Sequence, residues 1–239
     1  MTVVLVPFHL DTRLPRFESP VPTDLTVDPE LPDGTPWERM AALYENVAAT
    51  VAETQRPMVV SGDCTTSMGV VAGLQRAGVE PSIVWFDAHG DVQTPETSTS
   101  GYLGGMPLRQ IVGGADRTVA EHIGLRPVPE SDVVLVDARD LDPPEVEYLS
   151  GAAVRHVPID ALPIPDGPTY LHIDVDVVDE RDLPGLLFPV AAGPRLPEVA
   201  AAVRSVLAAG NVVAIGLACT WKPGAGAEKL IAGLAAELA

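Results

Sequence analysis

The residues of this chain best suited to chemistry fall in two short segments. Asp87-Ala88-His89-Gly90-Asp91 sets three potential metal donors at alternate positions directly after the apolar run Val84-Trp85-Phe86. In an extended chain the two-residue period points all three side chains the same way. Asp174-Val175-Asp176 repeats the arrangement after Leu171-His172-Ile173. Carboxylates at the ends of apolar runs carry a heavy desolvation cost when unpaired, and divalent cations offset such charge well. Oxygen donors with one imidazole suit Mn²⁺ or another first-row dication. Either segment alone fits a surface loop or a network paired to arginine. The two together, each behind a buried run, point to a metal centre.

Positioning such groups takes a sheet. Apolar runs rich in Val, Ile and Leu recur at 3–6, 58–60, 83–86, 133–136, 153–157, 170–175 and 212–217. Short, nearly continuous runs of this kind fit strands buried on both faces, as in a parallel sheet. Helical spacing lies between several of them. Over 37–53, Met40, Leu43, Tyr44, Val47 and Val51 recur three and four residues apart. Residues 65–77, 196–208 and 227–238 also read as helices. Strands alternating with helices predict a doubly wound α/β sheet, whose ligands bind beyond the carboxyl ends of the strands. Ser61-Gly62-Asp63-Cys64 and Ala218-Cys219-Thr220 therefore join the two acidic segments as candidate site regions. The Pro-rich stretch 15–36 reads as an irregular surface loop.

Taken in order, these segments resemble those of the arginase–agmatinase (ureohydrolase) family, which is marked by G-G-D-H, D-A-H-x-D and S-x-D-x-D. The likeness continues through Thr94-Pro95, Ser100-Gly101, Gly105-Met106-Pro107 and Arg139-Asp140-Leu141-Asp142-Pro143. It covers residues 55 to 225, roughly. The resemblance implies a three-layer α/β/α sandwich with a mostly parallel sheet of about eight strands, in one domain over 1–239. It also implies a pair of divalent ions, Mn²⁺ foremost, and hydrolysis of guanidino groups to urea. By position, Asp87 and Asp174 would bridge the ions. His89 and Asp176 would complete one of them, Asp91 and Cys64 the other. Asp91 would also hold the attacking water, which makes Asp87 and Asp91 the catalytic candidates. Asp142 and Ser100 match positions that help hold the amino-acid end of arginine, and Gln93 and Tyr102 fall where arginases usually carry Asn. The family's habit of assembly implies a homo-oligomer.

Three departures from the family pattern matter. Cys64 replaces the first His ligand. A thiolate is softer than imidazole and still binds metal; it makes the cluster one charge more negative, so a preference for softer ions or a more reactive substrate carbon is expected. The other reading of Cys64 is a small buried hydrophobe in an inactive site. Gly104 stands where many members carry a His that passes a proton to the leaving amine, and loss of a general acid slows such departure. His9, His122, His156 and His172 are the remaining candidates for that role, His172, on a buried strand next to the site, being expected to support the ligands or to pack and the others to be exposed or structural. Thr220 lies where the family places a Glu that pairs with the guanidinium. A neutral hydroxyl there disfavours a strongly cationic head group and suits a less basic N-hydroxyguanidine. The link after Val157 is short, so a trimmed, more open pocket is expected.

Composition narrows the partners. The chain has 239 residues and a formal charge of −18, which argues against nucleic acid and anionic membranes. No apolar run approaches the roughly 20 residues of a membrane span. The opening run, closed by Pro7, reads as a first strand and not a leader. Two cysteines do not make a disulfide framework, and a cytoplasmic location is the expectation. The function expected is a metal-dependent amidinohydrolase acting on a small arginine-like or N-hydroxyarginine-like substrate. The alternative is a catalytically degenerate family member serving as a binding or regulatory subunit.

Overall fold

The apolar runs become strands in a computed structural model covering residues 1–239. In chain order the first half contains β1 (Thr2–Val6), β2 (Phe8–His9), β3 (Thr12–Arg13), β4 (Leu25–Thr26), α1 (Pro36–Glu53), β5 (Pro57–Ser61), α2 (Ser67–Arg76) and β6 (Ser82–His89). Then follow α3 (Pro107–Ile111), α4 (Thr118–His122), β7 (Val133–Asp140), α5 (Pro143–Gly151), β8 (Arg155–Val157), β9 (Thr169–Asp174), α6 (Leu196–Ala208), β10 (Val212–Ala218) and α7 (Ala227–Leu238). Eight strands form one sheet in the order β4-β1-β5-β10-β9-β6-β7-β8, and every neighbouring pair is parallel. The remaining two, β2 and β3, make a small antiparallel hairpin.

Helices cover both faces of the sheet, which gives the three layers. The pleat sorts the strand residues: Val4, Val59, Ile83, Trp85 and Leu135 join the core under α1, α2, α3 and α4. Val3, Val60, Val84, Phe86 and Val136 join the opposite core under α6 and α7. That two-sided burial is why the strands read as continuous apolar runs and not as alternating ones. Helix α1 starts on a capping box, with Thr35 Oγ1 accepting from the Glu38 N–H and Glu38 returning a bond to Thr35 N–H. A cap of this kind contributes about 1 kcal/mol. Helix α2 lies close on α1, since Cβ atoms at Gly69 and Gly73 would come within 2.9 Å and 2.7 Å of the Val47 and Val51 side chains.

Several expectations need correction. The stretch 65–77 is not one helix: a 3-10 turn at Cys64–Thr66 precedes α2. The cause is Asp63, whose Oδ1 accepts from the Thr65 N–H at 2.8 Å and tightens the first turn. The loop 15–36 contains β4, which pairs with β1. Helices α3, α4 and α5 are short, with no more than nine residues each, too few for an apolar period to show. The link after β8 holds only a 3-10 turn at Ile159–Ala161, as its length predicts.

Candidate metal centre

The carboxyl ends of β5, β10, β9, β6 and β7, five neighbours in the sheet, surround a cavity of about 180 Å³. It is lined by Cys64, Asp87, His89, Asp91, Asp174 and Asp176, and also by Gln93, Ser100, Tyr102, Asp142 and Thr220. Every candidate site residue of the sequence therefore meets in one place. Eight lining residues are Asp or Glu and none is Lys or Arg.

The donors do not arrive there by simple alternation. Strand β6 ends at His89, and its register with β7 shifts between Asp87 and His89. Asp91 then takes a left-handed backbone with φ +54°. A Cβ on Gly90 would lie 2.7 Å from Glu145 Oε1 and 2.8 Å from Leu141 Cδ2, so the turn needs glycine there. Asp176 sits in a 3-10 turn at Val175–Val177, its N–H donating to Asp174 Oδ1 at 2.9 Å. The extended-chain expectation fails at both places for one reason. Each leading carboxylate accepts the N–H two residues on, Asp87 from His89 at 2.8 Å and Asp174 from Asp176, and this curls the chain.

The curl concentrates charge. Asp87 Oδ2 accepts from Trp85 Nε1 at 3.0 Å. His89 Nδ1 lies 3.2 Å from Asp176 Oδ2 and 3.4 Å from Asp87 Oδ1. The Cys64 thiol lies 2.8 Å from Asp174 Oδ2 and 3.7 Å from Asp87 Oδ2. Thr220 donates its hydroxyl to Asp174 Oδ1 at 2.7 Å, so it is turned to the carboxylate floor. Asp91 Oδ2 is buried and has no hydrogen-bond partner.

Electrostatics follow from this crowding. Burial, and then the charge of Asp87, push Asp91 well above the usual carboxyl range. Burial and the neighbouring Asp176 do the same to Asp174. Burial and the Asp174 charge raise the Cys64 thiol. Burial and Asp87 bring Asp176 up to about 6. Asp87 is the exception: burial would raise it, but the hydrogen bond and charge of His89 outweigh that and hold it low. Burial works against the His89 cation, yet Asp176 and Asp87 push it up to about 12. Such a set of like charges around an orphaned carboxylate oxygen has only the His89 cation to balance it. Two groups of side chains could hold a metal ion: Asp87, His89 and Asp176, and Cys64, Asp87 and His172. The donor set fits divalent ions, and Asp91 Oδ2 is left as a free acceptor in the same cavity.

The cavity wall differs from the expectations in instructive ways. Gln93 spends its amide on Asp142 Oδ2 at 3.0 Å and accepts from Thr97 at 2.7 Å. Glu145, which the sequence reading missed, is buried, lines the cavity and accepts the Asp142 N–H at 3.1 Å. Its place three residues after an N-capping Asp is a capping-box signal that would have found it. Phe188, also missed, stands 37% exposed at the mouth, edge-on to His89 and 4.9 Å from the Tyr102 ring; its segment carries no motif. His9 is tied into the site: Tyr102 Oη lies 3.0 Å from His9 Nε2, and His9 Nδ1 lies 3.0 Å from the Gly62 carbonyl. A carbonyl only accepts, so neutral His9 carries its proton on Nδ1 and Nε2 accepts from Tyr102. His172 is buried as expected, but its Nε2 is 3.2 Å from Cys64 Sγ. Burial pushes its pKa down to about 3. Cys219 is buried and free, as is Cys64.

A family model described as the arginase family matches residues 9–238. Among curated proteins, the arginase of Bacillus subtilis is 29% identical over 187 residues, 71% of this chain and 63% of its own length. The N(omega)-hydroxy-L-arginine amidinohydrolase of Streptomyces lavendulae is 32% identical over 156 residues, 62% of this chain and 55% of its own. The chain thus spans less than two thirds of either relative. Among solved structures, the arginase of Bacillus caldovelox superposes with a TM-score of 0.85 at 22% identity, covering 99% of this chain and 97% of that one.

Proposed function

Because the chain belongs to the arginase family, we propose that it hydrolyses a guanidino or amidino C–N bond in a small substrate and releases urea, with divalent ions in the cavity. The observation that carries this reading is the meeting of Cys64, Asp87, His89, Asp91, Asp174 and Asp176 in one cavity, with Asp91 Oδ2 buried and unpartnered. Bound dications would supply a water acidic enough to attack at neutral pH. The residues of the chain do the rest. Asp91, through its unpartnered Oδ2, would accept a hydrogen bond from the attacking water and take up its proton. Asp140, Asp142 and Glu145 make an acidic wall that suits an ammonium-bearing tail, and Ser98 and Ser100 add hydroxyls.

The head group is less basic than a plain guanidinium. Thr220 already gives its hydroxyl to Asp174 and puts no carboxylate against the substrate. An N-hydroxyguanidine meets that condition, and the Streptomyces lavendulae relative bears the name of an enzyme for such a compound. The leaving nitrogen needs a proton, and Tyr102 with His9 delivers it. Protonated His9 donates from Nε2 to Tyr102 Oη, and Tyr102 then donates into the cavity that it lines. The converging buried ligands give no support to the alternative of a catalytically silent binding subunit.

Urea release by the purified protein with Mn²⁺, across arginine, N-hydroxy-L-arginine, agmatine and guanidino acids, tests the reading. Faster release from N-hydroxy-L-arginine than from arginine is the expected result. Release from none of them, with Mn²⁺, Zn²⁺ or Co²⁺, overturns it.

A further inference from the structure

His172 was expected to support the ligands from behind or to pack, and its surroundings say more. It lies on β9 two positions before Asp174, so both side chains project from the same face of the sheet. Trp85, its neighbour across β6, stacks on the imidazole with centroids 3.7 Å apart and fixes the ring plane. Nδ1 lies 2.9 Å from Ser67 Oγ, which is itself 2.8 Å from Tyr170 Oη. Nε2 is left aimed at the cavity floor, 3.2 Å from Cys64 Sγ, and Cys64 Sγ is 3.7 Å from Asp87 Oδ2. Donor atoms around a tetrahedral ion with bonds of about 2.0–2.3 Å lie on the order of 3.5 Å apart. The two observed separations bracket that edge. The hydroxyl behind Nδ1 is the kind of outer partner that orients a ligating imidazole.

Two triads therefore share Asp87. One is Asp87, His89 and Asp176 at the open side of the cavity; the other is Cys64, Asp87 and His172 beneath it. His172 does not line the cavity itself, so the second triad reaches below the cavity floor. Asp91, with its unpartnered buried oxygen, lines the same cavity as Cys64 and Asp87.

We propose that His172 is a metal ligand, and that the inner ion is held by Cys64, Asp87 and His172 as a borderline-soft dication of the zinc or cobalt class. The inference rests on the reading of the cavity as a metal centre and adds a donor which that reading does not use. The S-x-D-x-D segment begins here with His172 in place of Ser, so the imidazole missing at position 64 is supplied from β9, two strands along the sheet from β5. A thiolate and an imidazole on one ion select zinc or cobalt, while the oxygen-rich outer triad accepts manganese.

The test uses the full chain, freed of metal and titrated with Co²⁺ alone. A thiolate-to-cobalt charge-transfer band that is absent in Cys64→Ala establishes an ion on Cys64. Proton NMR of the cobalt protein then counts hyperfine-shifted, exchangeable imidazole N–H signals. The expected count in the wild-type chain is two, one lost in His172→Gln and the other in His89→Gln. The preference for Zn²⁺ over Mn²⁺ should fall at least tenfold in His172→Gln, whose amide can still hydrogen-bond the sulfur. A charge-transfer band with a single shifted N–H, unaltered in His172→Gln, overturns the inference and leaves the metal reading standing. No cobalt uptake overturns both. The wild-type count decides even if a variant misfolds.

Discussion

The Tyr102 side chain fills the space in front of Gly104. A Cβ on Gly104 would lie 2.5 Å from the Tyr102 hydroxyl and nearer still to the ring. The two positions are therefore one packing unit, and a side chain at 104 requires the ring at 102 to move or to be replaced by a smaller group. Gly104→His alone should destabilise the protein by about 1–3 kcal/mol through overpacking. Adding Tyr102→Asn should recover most of that loss. Thermal denaturation of both single variants and the double variant measures the coupling, and additive effects would show that the ring is not the obstacle.

Tyr102→Phe keeps the ring and removes the relay. Its kcat for the best guanidino substrate should fall about a hundredfold with KM nearly unchanged, the size usual for loss of a general acid. His9→Gln should do the same, and the double variant should be no slower than either. Steady-state urea release at several pH values checks this. A change confined to KM would assign the pair to binding.

Metal removal should be felt as heat lability. Asp87, Asp91, Asp174 and Asp176 crowd one buried floor, and ions that bind only the folded state stabilise it by about 2.7 kcal/mol at a hundred times their Kd. A chelator should lower Tm and added metal restore it. Asp91→Asn removes a carboxylate whose ionisation burial opposes. The metal-free variant should melt above the metal-free parent and gain less from added metal. Differential scanning calorimetry with and without metal reads both effects.

Asp179 offers a pH test away from the cavity. Its fully buried side chain accepts from Arg181 Nε at 2.7 Å, from the Arg181 N–H at 2.9 Å and from the Gly193 N–H at 3.0 Å. The Arg181 hydrogen bond, above all, holds its carboxyl below the ordinary range. A depressed folded-state pKa adds stability above the unfolded value of about 3.9 and loses it as pH falls through the folded one. Asp179→Asn should lower Tm at pH 7, and the gap to the parent should close below pH 4, roughly. A gap independent of pH would mean that packing and not charge is at stake.

Much of this was legible in the chain. All strands of the main sheet but β4, and α1, α6 and α7, were visible because two-sided burial and three-four spacing leave marks in residue type. Asp87, His89, Asp91, Asp174 and Asp176 were visible because carboxylates behind apolar runs are costly enough to be informative. The local turns at Asp91 and Asp176 were not, since a carboxylate folding onto an N–H two residues on leaves no periodic trace. The surroundings of His172 were not legible either, because a histidine on a buried strand looks the same whether it packs or ligates. Only the sheet order shows Trp85 stacked beside it and Cys64 Sγ within 3.2 Å of its Nε2.

The strand order also governs how the chain can be made. β5 and β6 are adjacent along the sequence, yet β10 and β9 lie between them in the sheet. A ribosome that has released residues 1–150 has produced β5 and β6 with no partner on their facing edges. Those edges stay open until the last hundred residues, roughly, emerge and slot in. Cys64 waits 110 residues for Asp174. The nascent chain is thus sticky late into its synthesis, and a truncation that removes β9 and β10 should yield a product prone to aggregate and not merely an inactive one.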